Sequence, residues 1–223
     1  MLKLIIGNKV YSSWSLRGWL AVKQSGLLFE EVMAPMFGED WEDRKTQPDL
    51  APSGGKVPTL WDGDIVLWDS MAIIDYLDSL TGHQYFWPSD KAALALARSM
   101  CAEMHSGYQP LRQACGMNTR HVLPPRDLGP DVAANVSRIC ALWAQARDRF
   151  GGDGPYLFGS FGAADIMFAP VVTRFVTHAI DVPTPARDYM DAVLAHPFMR
   201  AWLADAAAES WVIPRLEPID ASA

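Results

Sequence analysis

Strand-type patterning in this 223-residue chain stops near residue 82, and everything after it reads as helix. The opening "LKLIIG" is a short apolar run that ends at a glycine, as a strand does. "SLRGWLAVKQSG" then places Leu16, Trp19, Leu20 and Lys23 at helical spacing, with Gly26 as the stop. "LFEEVMA" reads as a second strand. "EDWEDRKTQPDLAPSGG" is polar and rich in proline and glycine, which predicts a loop holding one short helical turn. "KVPTLWDGDIVLWDS" is two short runs around Asp62-Gly63-Asp64, a hairpin signal. "SMAIIDYLDSLTG" gathers Ile73, Ile74 and Leu77 on one helical face, with Gly82 past the end. From Lys91 onward the pattern predicts helices over 91–115, 131–150, 164–179, 186–195 and 198–208. Mixed elements followed by helices alone predict an α+β unit joined to an all-α unit. The boundary falls at residues 82–90.

Charge and composition narrow the function classes. Nineteen basic against 26 acidic side chains give a net charge of −7. Such a surface repels nucleic acid and anionic membrane, so an anionic ligand needs a local site. The three cysteines, Cys101, Cys115 and Cys140, are odd in number and never spaced C-x-x-C. That pattern predicts no disulfide framework, no metal site and a reducing compartment. "MLKLIIGNKV" is too short a run for a secretory signal, and no apolar stretch approaches the ~18 residues of a membrane span. A cytoplasmic protein with no nucleic-acid and no membrane partner is expected.

Three motifs carry chemistry. In "YSSWSLR", Ser12 and Ser13 sit where a helix begins. They are either caps for free backbone N–H groups or hydroxyl donors to an anion at the positive helix end. No cysteine lies nearby, so a thiolate there has to come from a ligand. In "KVPTL", Pro58 is either a trans proline opening a strand or the second residue of a cis Val57–Pro58 bond. In "LWDSMAIIDYL", Asp69 and Ser70 either cap a helix or hold a ligand: a carboxylate at the helix end, and an ammonium on Asp69.

In this order and spacing, the motifs resemble the N-terminal domain of glutathione S-transferases. "YSSWSLR" resembles the serine motif of the zeta class, which includes maleylacetoacetate isomerase. "GGKVPTL" resembles the cis-proline strand, "WDSMAIIDYLD" the acid–serine motif, and "FWPSD" the connector between domains. The resemblance implies a thioredoxin-like β-α-β-α-β-β-α domain over residues 1–82 that binds glutathione. A linker over 83–90 and an all-helical domain over 91–223 with the electrophile site follow. It implies that Ser13, Ser12 or Tyr11 stabilises the glutathione thiolate; other classes use a tyrosine for this. It further implies that Lys56 pairs with the glycine carboxylate and Val57 with the cysteinyl backbone, that Pro58 is cis, and that Asp69 and Ser70 hold the γ-glutamyl head.

The activity implied is conjugation of glutathione, the cosubstrate, to a small hydrophobic electrophile in detoxification, by a cytoplasmic homodimer without metal. Two alternatives are a glutathione-dependent cis–trans isomerase and a non-catalytic glutathione- or partner-binding module. For the electrophile wall, "CAEMHSGYQPLR" offers Met104, His105 and Tyr108, with Met104 and Tyr108 on one helical face. The alternative for Met104 and Tyr108 is plain core. Arg17 is expected in a salt bridge or domain contact. Two departures stand out: Trp14 replaces the zeta cysteine, and Gly162 replaces the hydroxyl of an S/T-x-x-D box whose acid, Asp165, is present.

Overall fold

A computed structural model describes residues 1–152 and 154–217. The chain runs β1 (Leu2–Ile6), α1 (Ser13–Ser25), β2 (Phe29–Met33), α2 (Trp41–Lys45), β3 (Thr59–Asp62), β4 (Ile65–Trp68) and α3 (Ser70–Leu80). Helices alone follow: α4 (Lys91–Ser106), α5 (Gln109–Ala114), α6 (Pro130–Phe150), α7 (Ala163–Thr177), α8 (Thr184–Ala195) and α9 (Pro197–Ala208). The first part is the thioredoxin-like arrangement that the resemblance implies.

The sheet order is β2-β1-β3-β4, with β1 parallel to β2 and antiparallel to β3. β1 is apolar except for the half-buried Lys3, because it is covered on both faces. Leu4 and Ile6 enter the main core, whereas Ile5 enters a smaller cluster with Ala34, Trp41 and Leu50. The β3–β4 hairpin closes through Gly63-Asp64, with Gly63 at φ 58°, a backbone state that glycine reaches without steric cost.

α1 is held between the sheet half and the helical half. Its N-cap Ser12 accepts from the Ser15 N–H, and Gly26 ends it at φ 70°. Leu16, Trp19 and Leu20 pack into a core cluster shared with Met167 and Phe168 of α7. Arg17 is fully buried at this contact and donates Nε to the Met167 carbonyl at 2.9 Å. It is therefore a domain contact; among the described residues it has no carboxylate partner.

The run expected as one helix over 91–115 is two, broken at Gly107 and Tyr108. In a continuous helix the Pro110 ring would clash with the carbonyl four residues back. Instead Tyr108 turns the chain at φ 61°, and Pro110 occupies the first turn of α5.

Asp165 anchors α7. Its carboxylate accepts from the Gly162 N–H at 2.9 Å, the Leu157 N–H at 3.1 Å and the Tyr189 hydroxyl at 3.1 Å. Gly162 is required because a Cβ there would lie 2.7 Å from the Phe86 carbonyl oxygen. The hydroxyl half of the capping box is thus excluded by packing against the interdomain segment.

Burial pushes the Asp165 carboxyl up to about 6, against which its three hydrogen bonds pull down. The folded chain therefore binds this proton more tightly than the unfolded one does. The resulting stability is complete below the unfolded value of 3.8 and is lost as pH rises through about 6. In urea denaturation across this window, wild type is expected to lose stability relative to Asp165→Asn as pH rises. Parallel pH profiles for the two proteins would exclude a buried, titrating Asp165.

Candidate active site

The loop from β1 into α1 brings Tyr11, Ser12 and Ser13 together, and their hydrogen bonds differ. The Ser12 hydroxyl accepts from the Ser15 N–H and donates to Ser15 Oγ at 2.8 Å. Its proton is committed to the Ser15 hydroxyl oxygen. The Tyr11 hydroxyl donates to Glu217 and accepts from Arg120 at 3.2 Å and the Ile213 N–H at 3.4 Å. Burial first, then the hydrogen bond to Glu217, raises its pKa. Tyr11 faces the C-terminal segment, which Asn118 also holds through the Leu216 carbonyl. Ser13 Oγ instead accepts from Arg174 Nη2 at 3.0 Å and, among the described residues, donates to no protein group. Ser13 is 7% exposed, and its hydroxyl proton is uncommitted.

Around this point stand side chains from both halves. Two guanidiniums stand over the Trp14 ring, Arg17 4.5 Å and Arg112 5.0 Å from its centroid. The Trp14 and His105 rings meet edge to face, their centroids 5.3 Å apart. His105 Nε2 in turn lies 3.2 Å from Asp69 Oδ2. Ser13, Trp14 and Asp69 from the sheet half thus face His105, Arg112 and Arg174 from the helical half.

The remaining sheet-half candidates line the approach. The Val57–Pro58 bond is cis. Neither the N–H nor the C=O of Val57 meets a partner among the described residues. Lys56 is exposed, and its backbone N–H is held by Ser53 Oγ at 3.0 Å. Asp69 is at φ 77°, an uncommon state for a non-glycine residue, and its Oδ1 caps the Met71 N–H at 2.8 Å. Ser70 is buried, its hydroxyl 3.9 Å from the Met167 sulfur.

Of the three helical-half candidates, only His105 reaches the cluster. Met104 is 1% exposed and packs in the main core. Tyr108 is also buried, and its hydroxyl donates to Glu103 at 2.6 Å. Arg112 and Arg174 escaped the sequence reading. Arg174 did leave a signal: it is a lone charge in the apolar run "IMFAPVVTRFV". A separate cavity of about 390 Å³, lined by Tyr85, Trp87, Phe150, Phe158 and Phe161, opens at the interdomain segment away from Ser13.

Residues 11–80 match the family model of the glutathione S-transferase N-terminal domain, and residues 130–205 that of the C-terminal domain. The chain belongs to the glutathione S-transferase superfamily. Residues 72–145 also match a protein family of unknown function, DUF732, which straddles both halves. The curated Glutathione S-transferase Z2 of Arabidopsis thaliana is 34% identical over 109 residues, which are 46% of this chain and 47% of that protein. The match thus spans about half the length of that relative.

Solved structures match over nearly the whole length. A glutathione transferase homolog from Burkholderia with bound glutathione superposes at a TM-score of 0.69 and 21% identity, covering 93% of this chain and 99% of that one. A theta class glutathione S-transferase from Xanthomonas axonopodis pv. citri, also with glutathione bound, gives 0.62 and 22%, covering 91% and 96%. The Tau class enzyme from mango gives 0.67 and 17%, covering 93% and 97%. At these identities the likeness is one of fold.

The Pro58 loop is seated on α1 at Gly18, where a Cβ would lie 2.7 Å from both Cβ and Cγ of Pro58. Alanine gains about 1 kcal/mol of helix propensity over glycine. Overpacking costs about 1–3 kcal/mol, so the clash dominates. Gly18→Ala is expected to lower stability in denaturant titration; a stabilised variant would mean that helix and ring separate freely.

Proposed function

We propose that this protein is a glutathione transferase in which Ser13 donates the hydrogen bond that holds the glutathione thiolate. The supporting observation is the uncommitted Ser13 proton at the first turn of α1, beside two hydroxyls whose protons are already used. A hydroxyl donor and a helix N-terminus both favour the thiolate over the thiol. The activated sulfur attacks the electrophilic carbon. A carbon–sulfur bond forms, and the leaving group departs with its electron pair, or the pair moves onto an adjacent acceptor atom. The chain supplies the field and forms no covalent bond.

Residues 1–82 form the glutathione-binding unit in this reading, and the unit from residue 91 walls the electrophile site across a linker at 83–90. The cysteinyl peptide lies along the unpaired N–H and C=O of Val57 beside Pro58. Lys56 receives the glycine carboxylate. The γ-glutamyl carboxylate sits at the N-terminus of α3 with Ser70, and its ammonium on Asp69. His105, already beside Asp69, contributes to the wall of the electrophile site. The electrophile is small and hydrophobic, the setting is cytoplasmic detoxification, and the working unit is a homodimer; the chemistry requires no metal. No helix among the described residues is long and apolar enough to cross a membrane.

Calorimetric titration with glutathione, ultraviolet absorbance of the bound thiolate against pH, and assays with aryl halides, epoxides, peroxides and maleylacetoacetate analogues test the proposal. Ser13→Ala is expected to raise the thiol titration midpoint and to cut kcat/KM about 10²–10³-fold, as loss of a transition-state hydrogen-bond donor does. Ser12→Ala is expected to cost about 1 kcal/mol of stability through the lost cap and to leave the thiol midpoint in place. Absence of glutathione binding sinks the proposal. Binding with an ordinary thiol midpoint in wild type would favour the non-catalytic module.

A further inference from the structure

Three guanidinium groups converge on the start of α1 without a carboxylate partner. Among the described residues, Arg17, Arg112 and Arg174 form no ion pair. Arg17 donates Nε to the Met167 carbonyl, and its Nη1 is buried without any partner. Arg112 donates to the carbonyls of Gly107 at 2.9 Å and Met104. Arg174 donates to the Cys115 carbonyl and to Ser13 Oγ.

The three charges repel one another. Burial and then the fields of Arg112 and Arg174 depress the Arg17 pKa. Burial and then Arg112 bring that of Arg174 down to about 10. The titratable groups facing this cluster are Asp69 at the head of α3, Cys101 and His105 on α4, Cys115 after α5 and His178 at the end of α7. Asp69 is the one carboxylate whose field favours the charged Arg17, and it is already engaged by His105 and the Met71 N–H. Buried cations left so poorly compensated are costly, and a bound anion removes much of that cost.

Arg174 is also placed to act through Ser13. A hydroxyl has one proton and two acceptor lone pairs. With one lone pair taken by a guanidinium, the Ser13 proton is directed away from Arg174 and is the stronger donor for being polarised. We propose that Arg174 is a positioning residue supplied by the helical half: it fixes the Ser13 proton toward the incoming sulfur and, with Arg112 and Arg17, forms the positive socket that keeps that sulfur as thiolate. This rests on the glutathione reading above. It makes sulfur activation a property of both halves together, although the hydrogen-bond donor to the sulfur, Ser13, sits on the sheet half.

The test is the ultraviolet titration of glutathione thiolate bound to the full chain, in wild type, Arg174→Gln, Arg174→Lys, Arg112→Gln, Ser13→Ala and the Arg174→Gln/Ser13→Ala double variant. Arg174→Gln is expected to raise the midpoint by about 1–2 pH units, the usual reach of a neighbouring charge. Each unit lowers the thiolate fraction below the midpoint about tenfold. Arg174→Lys recovers part of the shift, and Arg112→Gln, which touches no atom of Ser13, gives a smaller one. The double variant shifts by less than the sum of its two parents, because Arg174 acts partly through Ser13.

A mere brace between α7 and the Cys115 carbonyl would change thermal stability and leave the midpoint where it was. A folded, glutathione-binding Arg174→Gln with an unmoved midpoint therefore overturns the proposal and leaves the glutathione reading standing. Should Arg174→Gln fail to fold, a folded, glutathione-binding Arg174→Lys with an unmoved midpoint overturns it equally. A wild-type protein that does not bind glutathione overturns both.

Discussion

α1 is buried on almost every side, between the sheet and α7, and the rest of the molecule accommodates that burial. A helix so enclosed cannot send a charged side chain to solvent. Arg17, one turn into α1, is forced to find its partners inside the protein, and it finds the Met167 carbonyl. The same enclosure brings α7 close enough for Arg174 to reach Ser13. Gly18 belongs to this constraint as well: only a residue without Cβ lets the Pro58 loop approach the helix. The serine, the proline loop and the helical half are therefore positioned by one packing requirement.

An acidic chain with a net charge of −7 must concentrate positive potential where it handles an anion. The sequence reading assigned that role to helix dipoles and Lys56. The structure adds a larger source in Arg17, Arg112 and Arg174. A helix N-terminus carries about half an elementary charge, and its effect fades within a turn. Arg17 and Arg174 are buried and Arg112 is half-buried, so all three are less screened than the exposed Lys56. Surface charge and site charge are thus opposite in sign, and the acidic surface leaves the site's field intact at short range.

The element order of both halves was legible because its signals are local. Short apolar runs, glycine stops and the Asp62-Gly63-Asp64 hairpin need no knowledge of distant residues. Asp165 was legible as half a capping box for the same reason. The reason for Gly162 was not, because it lies in the Phe86 carbonyl some seventy-five residues away in sequence. The break at Gly107 and Tyr108 was written in Pro110, but the apolar periodicity on either side masked it. At the site, the serines, Lys56, Val57, Pro58, Asp69 and Ser70 could be nominated from motif order. Arg112 could not, and Arg174 stood out only as a lone charge in an apolar run, since the relation of either to Ser13 exists only after the halves pack. Met104 shows the converse: helical spacing put it on a face, and packing made that face core.

Ser12 and Ser13 make the same point at the scale of one proton. As residues they are identical neighbours at a helix start, and local rules assign both to capping. Their difference comes from partners. Ser15, three residues on, takes the Ser12 proton, which a local reading can anticipate. Arg174 takes a Ser13 lone pair from 161 residues away, which no local reading can. A hydroxyl whose acceptor side is occupied and whose donor side is open has a defined direction of donation. A site that needs to stabilise an anion gains by having that direction set before the anion arrives, because no reorganisation is then required at the moment of reaction. Here the orienting group belongs to the other half of the chain, so the competence of the site depends on how firmly α7 is seated against α1.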